Sequence, residues 1–255
     1  MEVRLVAFDL DDTLAESKSR IPAEVADALR RLLDVVEVCI ISGGQWAQLR
    51  DQVLDHLGAD PFQLSRLHLM PTCGTRYIRH DGEKWAQVYS QPLSPEEREY
   101  VKHHMEAEAR ELGLWEEEVW GEVIEDRGTQ ITFSALGQEA PLEAKRAWDP
   151  SGEKRASLVR ALEPILSELE VRSGGSTSVD VTRKGIDKAY GMLRLGEQTG
   201  IPLDTMLFVG DRLDPDGNDY PVKTLGIRCL ETDGPEQTAG IIEDVIADIT
   251  AGTRI

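Results

Sequence analysis

The chain has 255 residues, enough for one large domain or two ordinary ones, and 40% of them are hydrophobic. Lysine and arginine number 28 against 47 aspartates and glutamates, so the formal net charge is −19. This charge disfavours nonspecific binding to nucleic acid and anionic membranes, and no apolar run is long enough to cross a bilayer. The three cysteines form no CxxC pair and no signal-peptide pattern is present, so we predict a cytoplasmic protein with free thiols.

The first third of the chain alternates apolar strands with helices. Pro22 begins an amphipathic helix, and a second helix is predicted from Trp46 to Leu57. The apolar runs are short and rich in β-branched residues, as in strands buried on both faces; they lie at Val3–Phe8, Val35–Ile41 and Leu67–Met70. This alternation predicts a Rossmann-like, doubly wound parallel sheet of the α/β class.

The middle third mixes hairpin strands with helices. An Asp81-Gly82 turn between two strand-like runs predicts a β-hairpin, and Ser94-Pro95 begins a helix. Further elements are predicted as a strand at Gln130–Ser134, a helix from about Glu153 to Leu169, and strands near Leu169–Arg172 and Thr177–Val181. This pattern indicates an α+β unit inserted into the parallel domain.

The parallel pattern resumes in the last third. Its predicted elements are a helix at Ile186–Thr199, strands at Met206–Gly210 and Gly226–Leu230, and a helix at Gln237–Ile249. We therefore predict a split core at residues 1–82 and 184–255, with the inserted unit at 83–183.

Polar side chains follow the predicted core strands at their carboxyl ends, where ligands bind in sheets of this class. They are Asp9, Asp11 and Thr13 after the first strand, Ser42, Gly43 and Gly44 after the second, and Asp211, Asn218 and Asp219 after a late one. Clustered carboxylates repel one another unless a cation lies among them, and hard oxygen ligands favour Mg²⁺. A serine, glycine amides and a lysine, either Lys184 or Lys188, would supply the positive side of a phosphate site. A single aspartate after a strand is often only a helix cap, but capping does not explain the ordered set.

This ordered set resembles the motifs of the haloacid dehalogenase superfamily. DLDDT (Asp9–Thr13) matches its DxDxT motif, ISGG (Ile41–Gly44) matches its second motif, and the lysine and GD…ND match the third and fourth. The resemblance implies that Asp9 attacks phosphorus to form an aspartyl-phosphate, while Asp11 protonates the leaving oxygen and later activates water. It implies that Mg²⁺ is held by Asp9, the backbone carbonyl of Asp11 and Asp211.

The same resemblance implies roles for the remaining motif residues. Asn218 and Asp219 would lie around the metal. Ser42 and the lysine would hold the phosphoryl oxygens, with substrate contacts from Thr13, Gly43 and Gly44. The family places its lysine at the start of a helix shortly after a glycine, which favours Lys188 in VDVTRKGIDKAYGM (Val179–Met192) and leaves Lys184 as the alternative.

The position of the insertion resembles the larger α/β cap, of the C2B type, in subclass IIB of this superfamily. Within that subclass the chain is most similar to eukaryotic-type phosphomannomutases. The matching segments are EDRGTQITFSALGQ (Glu125–Gln138), GGSTSVDV (Gly174–Val181) and GDRLDPDGNDYPV (Gly210–Val222). The resemblance implies that the cap contacts the substrate through Arg127, Lys145 and Asp180.

A departure from the phosphomannomutase pattern bears on the reaction. A sugar phosphomutase must hold a second phosphate, which needs bidentate arginines. Arg127 matches one such position, although it could instead pair with Glu125 or Asp126. At the next position where the family has an arginine, this chain has Gln138. At a following arginine position it has Lys145, which is adjacent to Arg146.

Without the guanidinium group of an arginine at position 138, a second phosphate would be bound more weakly. We therefore predict a Mg²⁺-dependent phosphatase acting on a small phosphorylated metabolite, with a sugar phosphate as the expected class. A phosphomannomutase-type mutase is the alternative, and a non-catalytic phosphosugar-binding module is the second alternative. We expect no nucleic-acid or membrane partner, and the sequence leaves open whether the protein is a monomer or a homodimer.

Overall fold

The computed structural model describes residues 2–252, and the chain divides into two compact units after Ser90 and before Asp187. The strands in chain order are β1 (Leu5–Phe8), β2 (Glu37–Ile41), β3 (Leu67–Met70), β4 (Arg76–His80), β5 (Trp85–Ser90), β6 (Ile124–Asp126), β7 (Gln130–Ser134), β8 (Leu169–Ser173), β9 (Ser178–Arg183), β10 (Met206–Gly210) and β11 (Arg228–Glu231).

The helices in chain order are α1 (Ala23–Val35), α2 (Trp46–Leu49), α3 (Asp55–Leu57), α4 (Pro61–Ser65), α5 (Pro95–Glu111), α6 (Leu142–Trp148), α7 (Glu153–Leu162), α8 (Lys188–Thr199), α9 (Tyr220–Thr224) and α10 (Pro235–Thr250). A π-helical turn, Arg50–Leu54, joins α2 to α3. None of the described helices is both long and apolar enough to span a membrane.

The larger unit is built on a seven-stranded sheet in the order β11-β10-β1-β2-β3-β4-β5. The strands from β11 to β3 run parallel, and β4 and β5 are antiparallel additions at one edge. Alternate residues of β1 enter two different apolar clusters: Val6 and Phe8 join α1, whereas Leu5 and Ala7 join α8. Helices therefore cover both faces, which explains why the strand is apolar throughout and confirms the doubly wound α/β prediction.

The boundaries of the inserted unit differ from the predicted ones. Residues 83–90 were assigned to the insertion, but β5 hydrogen-bonds to β4 and so extends the larger sheet. At the other end, residues 184–186 belong to the smaller unit, and Asp187 caps α8 with its side chain. A tight hairpin keeps its second strand beside its first, so the division comes after the hairpin.

The smaller unit has a four-stranded antiparallel sheet in the order β6-β7-β9-β8. Ile131 and Phe133 of β7 and Val179 and Val181 of β9 pack against α5 and α7 in one apolar cluster. The predicted α+β character is confirmed. Helix α7 ends at Leu162 rather than near Leu169. Glu163 still has helical dihedral angles (φ −51°, ψ −47°), but Pro164 has no amide hydrogen to continue the helical hydrogen bonds.

Candidate active site

Buried charges meet in the larger unit, beside the carboxyl end of β1. Asp9 directly follows β1 and is 4% exposed, and Lys188 is the first residue of α8 and is 1% exposed. The Lys188 Nζ atom lies 2.6 Å from Asp9 Oδ1 and 2.5 Å from Asp219 Oδ1. Lys184, the other lysine considered, is exposed and belongs to the smaller unit. The contact with Asp9 is therefore made by Lys188.

Burial and mutual charge shift the ionisation of this cluster. Burial raises the pKa of the Asp9 carboxyl well above its usual range, and the ammonium of Lys188 opposes that rise. Burial alone would lower the pKa of Lys188, but the charges of Asp9 and Asp219 outweigh it and raise that pKa. The pKa of Asp211 is raised by burial and by the neighbouring charge of Asp219. The cluster thus holds a lysine side chain among several carboxyl groups whose charges favour its protonated form.

The donor set of this cluster fits a divalent cation. Asp9, Asp211 and Asp219 each offer one carboxylate oxygen, and the three oxygens lie within 4.8 Å of one another. One ammonium leaves an excess of negative charge there, which a hard cation such as Mg²⁺ would balance. Asn218, also predicted near the metal, has an exposed side chain.

The loop after β10 places Asp219 beneath the site. The Arg212 backbone amide donates to Asp219 Oδ2 at 3.2 Å, and the Asp219 amide donates to the Arg212 carbonyl at 3.2 Å. A Cβ atom on Gly217 would lie 2.0 Å from that same carbonyl oxygen, so only glycine fits there. The glycine before Asn218 thus has a packing role that closes the loop.

The loop after β1 directs Asp11 toward the helix that follows β2. Asp11 Oδ2 accepts a hydrogen bond from Gln48 Nε2 at 2.9 Å, and Asp11 Oδ1 accepts one from the Lys18 amide at 2.8 Å. Thr13 Oγ1 donates to Asp211 Oδ1 at 3.4 Å, which joins this loop to the acidic cluster. Gln48 was not predicted; the only available signal was its place one turn into the helix after the SGG segment.

The Ser42 loop is braced by the turn that follows β3. Ser42 is buried and its Oγ accepts from the Gly44 amide at 3.0 Å. The Thr72 amide donates to the Gly44 carbonyl at 2.8 Å and the Cys73 amide to the Ser42 carbonyl at 2.9 Å. Thr72 and Cys73 have φ values of 50° and 53°, a strained conformation for residues other than glycine. A Cβ on Gly43 would lie 4.0 Å from Cys73 Sγ.

A glycine inside α8 lets this helix approach the same turn. A Cβ on Gly191 would lie 2.3 Å from Ile41 Cδ1 and 2.9 Å from the Cys73 carbonyl oxygen. Gly191 lies one turn after Lys188 in α8. The close approach of α8 to Ile41 and Cys73 at Gly191 therefore also fixes the position of Lys188. Sequence reasoning missed Gly191, although a glycine inside a helical pattern is a sign of tight packing.

In the smaller unit, Arg127 has a carboxylate partner. Its Nη2 lies 2.6 Å from Glu125 Oε2, and the two side chains are 8% and 13% exposed. Asp180 accepts from Thr132 Oγ1 at 2.7 Å, and its pKa is raised by burial against the lowering influence of Arg127. The ion pair with Glu125, the alternative considered for Arg127, is therefore present and largely shielded from water.

The two other basic residues singled out in this unit differ in environment. Lys145 is 9% exposed, and its Nζ donates to the Gln138 carbonyl at 3.0 Å. Arg146 is exposed. The lysine at the family's arginine position thus ties α6 to the segment that follows β7.

Comparison with known proteins identifies the family. The model of the haloacid dehalogenase-like hydrolases matches residues 6–221. The chain belongs to the haloacid dehalogenase-like hydrolases. The chain is 25% identical to phosphomannomutase 1 of Homo sapiens over 223 residues, which cover 86% of the chain and 82% of the relative. It is 24% identical to the phosphomannomutase of Encephalitozoon cuniculi over 261 residues, with coverage of 98% and 96%.

Solved structures with the same fold include an IMP-nucleotidase and a trehalose-6-phosphate phosphatase. A C-terminally truncated IMP-nucleotidase of Plasmodium falciparum matches with a TM-score of 0.71 and 17% identity, covering 97% of this chain and 72% of that one. The C-terminal domain of trehalose-6-phosphate phosphatase from C. albicans matches with a TM-score of 0.63 and 17% identity, covering 96% and 93%. These likenesses concern the fold, while the sequence relatives confirm the predicted closeness to phosphomannomutases.

Proposed function

We propose that this protein is a Mg²⁺-dependent phosphatase that removes the phosphoryl group of a small metabolite, with a sugar phosphate as the expected class. The observation that carries the proposal is the Lys188 ammonium held between the buried carboxylates of Asp9 and Asp219, with Asp211 beside them. A buried nucleophile, a fixed positive charge and a set of oxygen ligands are what phosphoryl transfer through an aspartyl-phosphate requires.

Each side chain has a task in this proposal. A carboxylate oxygen of Asp9 attacks phosphorus, and the ester oxygen leaves with a proton from Asp11. Asp11 then takes a proton from water as that water attacks the aspartyl-phosphate, which releases phosphate and restores Asp9. Lys188 and the Ser42 hydroxyl stabilise the phosphoryl oxygens, and the hydrogen bond from Gln48 orients Asp11. Bound Mg²⁺ would supply positive charge between the anionic nucleophile and the anionic phosphate.

The surroundings of the basic side chains in the smaller unit favour hydrolysis over mutase chemistry. A mutase needs donor forks for a second phosphate, but Arg127 pairs with Glu125 and the next family arginine is Gln138. We propose that Arg127, Lys145 and Asp180 recognise polar groups of the substrate other than the transferred phosphoryl group.

Phosphomannomutase activity is the second candidate, because relatives of that name align with most of the chain. A coupled assay with mannose 1-phosphate and a hexose bisphosphate activator separates the two reactions. Isomerisation faster than phosphate release would reverse our ranking. Tight binding of sugar phosphates without either reaction would instead support a non-catalytic binding module.

The nucleophile assignment is tested by phosphate release from a panel of phosphorylated metabolites, with and without Mg²⁺. Asp9→Asn should abolish turnover, because a neutral amide cannot form the aspartyl-phosphate. Asp12→Asn is the matched control: Asp12 is exposed, its φ of 61° suits asparagine, and an amide oxygen can still accept the hydrogen bond from the Ser17 amide. Equal turnover in the two variants would show that Asp9 is not the nucleophile.

A further inference from the structure

A second polar pocket opens in the larger unit at the amino ends of the parallel strands. It has a volume of about 380 Å³, and three arginines are among its lining residues, Arg4, Arg66 and Arg79. Arg4 and Arg66 directly precede β1 and β3, and Arg79 of β4 lies opposite His68 of β3. The four residues of β1 separate Arg4 from Asp9, and the five steps along extended chain put the pocket about 16 Å from the candidate nucleophile at about 3.3 Å per step.

The guanidinium groups of this pocket have no carboxylate of the described chain within ion-pair distance, and Glu37 attracts Arg66 and Arg79 only from farther away. Across residues 2–252, no carboxylate forms an ion pair with Arg4, Arg66 or Arg79, whereas most other arginines have one. Two of these arginines donate to backbone carbonyls instead: Arg66 Nη1 to Asp34 at 2.9 Å and Arg79 Nη2 to Ser65 at 2.8 Å. These hydrogen bonds fix the positions of two of the three guanidinium groups.

One donor in the pocket is both buried and unsatisfied. The Nε atom of Arg79 is shielded from solvent and has no hydrogen-bond partner within the described chain. A buried guanidinium donor left unpaired is costly, because it has lost its water without gaining an acceptor. The described chain therefore leaves the Arg79 guanidinium incompletely satisfied.

The acidic side chains of the pocket do not supply that acceptor. Glu37 Oε2 is 2.8 Å from His68 Nε2, so Glu37 hydrogen-bonds to the imidazole and attracts Arg66 and Arg79 only from beyond ion-pair distance. Glu2 is exposed. The pocket thus has three guanidinium groups against two carboxylates, in a chain whose formal net charge is −19. An excess of positive charge here is contrary to the overall composition and needs a local reason.

We propose that this pocket binds a tetrahedral oxyanion, either inorganic phosphate or the phosphate group of a small metabolite, at a site separate from the candidate active site. Planar guanidinium forks match the oxygens of phosphate in a bidentate way. The volume is within the range of pockets that hold small ligands, so there is room for more than the anion alone. The proposal rests on the pocket and is independent of the reaction at Asp9.

Crystals of the full chain soaked in selenate locate the anion by anomalous scattering. We expect a selenium peak among the three arginines in the wild type and its loss in Arg4→Gln, a variant of an exposed side chain that should fold normally. A peak beside Asp9 with none in the arginine pocket would overturn the proposal.

Calorimetric titration with inorganic phosphate tests the site in solution. Arg4→Gln and Arg79→Gln should each weaken one class of binding at least about tenfold, because charge-assisted hydrogen bonds are lost. Ser42→Ala should leave that class unchanged. Arg228→Gln is the matched control, since Arg228 is exposed, lies outside the pocket and forms no ion pair within residues 2–252. If both pocket variants bind phosphate as Arg228→Gln does, the pocket is not an anion site.

A parallel titration with glucose 6-phosphate distinguishes the two sources of the anion. Affinity for the sugar phosphate above that for free phosphate, lost in Arg4→Gln, identifies a metabolite site. Affinity equal to or below that for phosphate, with the same loss, identifies a site for the free anion.

Discussion

Replacing Lys188 by methionine tests the charge balance of the candidate site directly. The ammonium is 1% exposed and lies 2.6 Å from Asp9 and 2.5 Å from Asp219. At an effective dielectric constant of about 20, each contact has a Coulomb energy of about 6 kcal/mol, much of which offsets the desolvation of the buried ions. Removing one partner of a buried ion pair costs about 3–5 kcal/mol, so we expect Lys188→Met to lower the free energy of unfolding by that amount near neutral pH.

The destabilisation should depend on pH in a defined direction. Burial already raises the pKa of Asp9 in the folded protein, and the loss of Lys188 removes the charge that opposes this rise. A carboxyl group whose folded pKa lies above its unfolded pKa binds its proton first in the folded state, so falling pH favours folding. The deficit of Lys188→Met relative to wild type should therefore be largest at high pH and shrink as the pH falls through the raised pKa of Asp9.

Urea denaturation in EDTA, at about pH 8 and about pH 5.5, measures both effects. Lys184→Met is the matched control, because the same side chain is removed from an exposed position. Lys188→Met combined with Asp219→Asn should recover part of the lost stability, since one buried carboxylate is removed along with the ammonium. If Lys188→Met and Lys184→Met unfold at the same urea concentration at about pH 8, the buried ion pairs do not have the role assigned to them.

Two further predictions concern residues around the sheet. Gly191→Ala should destabilise the protein by about 1–3 kcal/mol and reduce turnover, because its Cβ would overlap Ile41 and the Cys73 carbonyl; unfolding and activity equal to wild type would contradict the packing role. Burial lowers the pKa of His68, although its hydrogen bond to Glu37 acts in the opposite direction. As the pH falls below about 6.5, this histidine is therefore protonated in the unfolded chain before it is protonated in the folded one. The folded state loses stability as a result. His68→Gln should flatten the decline in unfolding free energy between about pH 7 and pH 5.5, and an unchanged slope would refute this.

The fold could be predicted from local patterns because the decisive segments are unambiguous. MLFVG at Met206–Gly210 is apolar throughout, and the structure has a strand at those residues, buried under helices on both sides. The same reasoning failed where a single residue interrupts a pattern. Pro164 ends α7 early, and the short elements α6 and β6 have too few residues to show a period.

The candidate site divides in the same way between local and long-range information. The sequence shows which acidic and serine motifs follow the successive strands. Because the carboxyl ends of parallel strands lie at one edge of the sheet, it could be predicted that Asp9 and Asp211 lie at the same edge. The left-handed conformation of Thr72 and Cys73 had no sequence signal, because non-glycine residues adopt it only when their surroundings impose it.

The sequence by itself determined the class of sheet, the interruption of its core and the set of side chains brought to one edge, since strand polarity and apolar runs are local properties. Only the tertiary structure decided that Lys188 rather than Lys184 touches Asp9, and that Arg4, Arg66 and Arg79 share a pocket and form no ion pair within the described chain. Those outcomes depend on distances between residues far apart in the chain. Packing between elements sets such distances, and no periodicity records them.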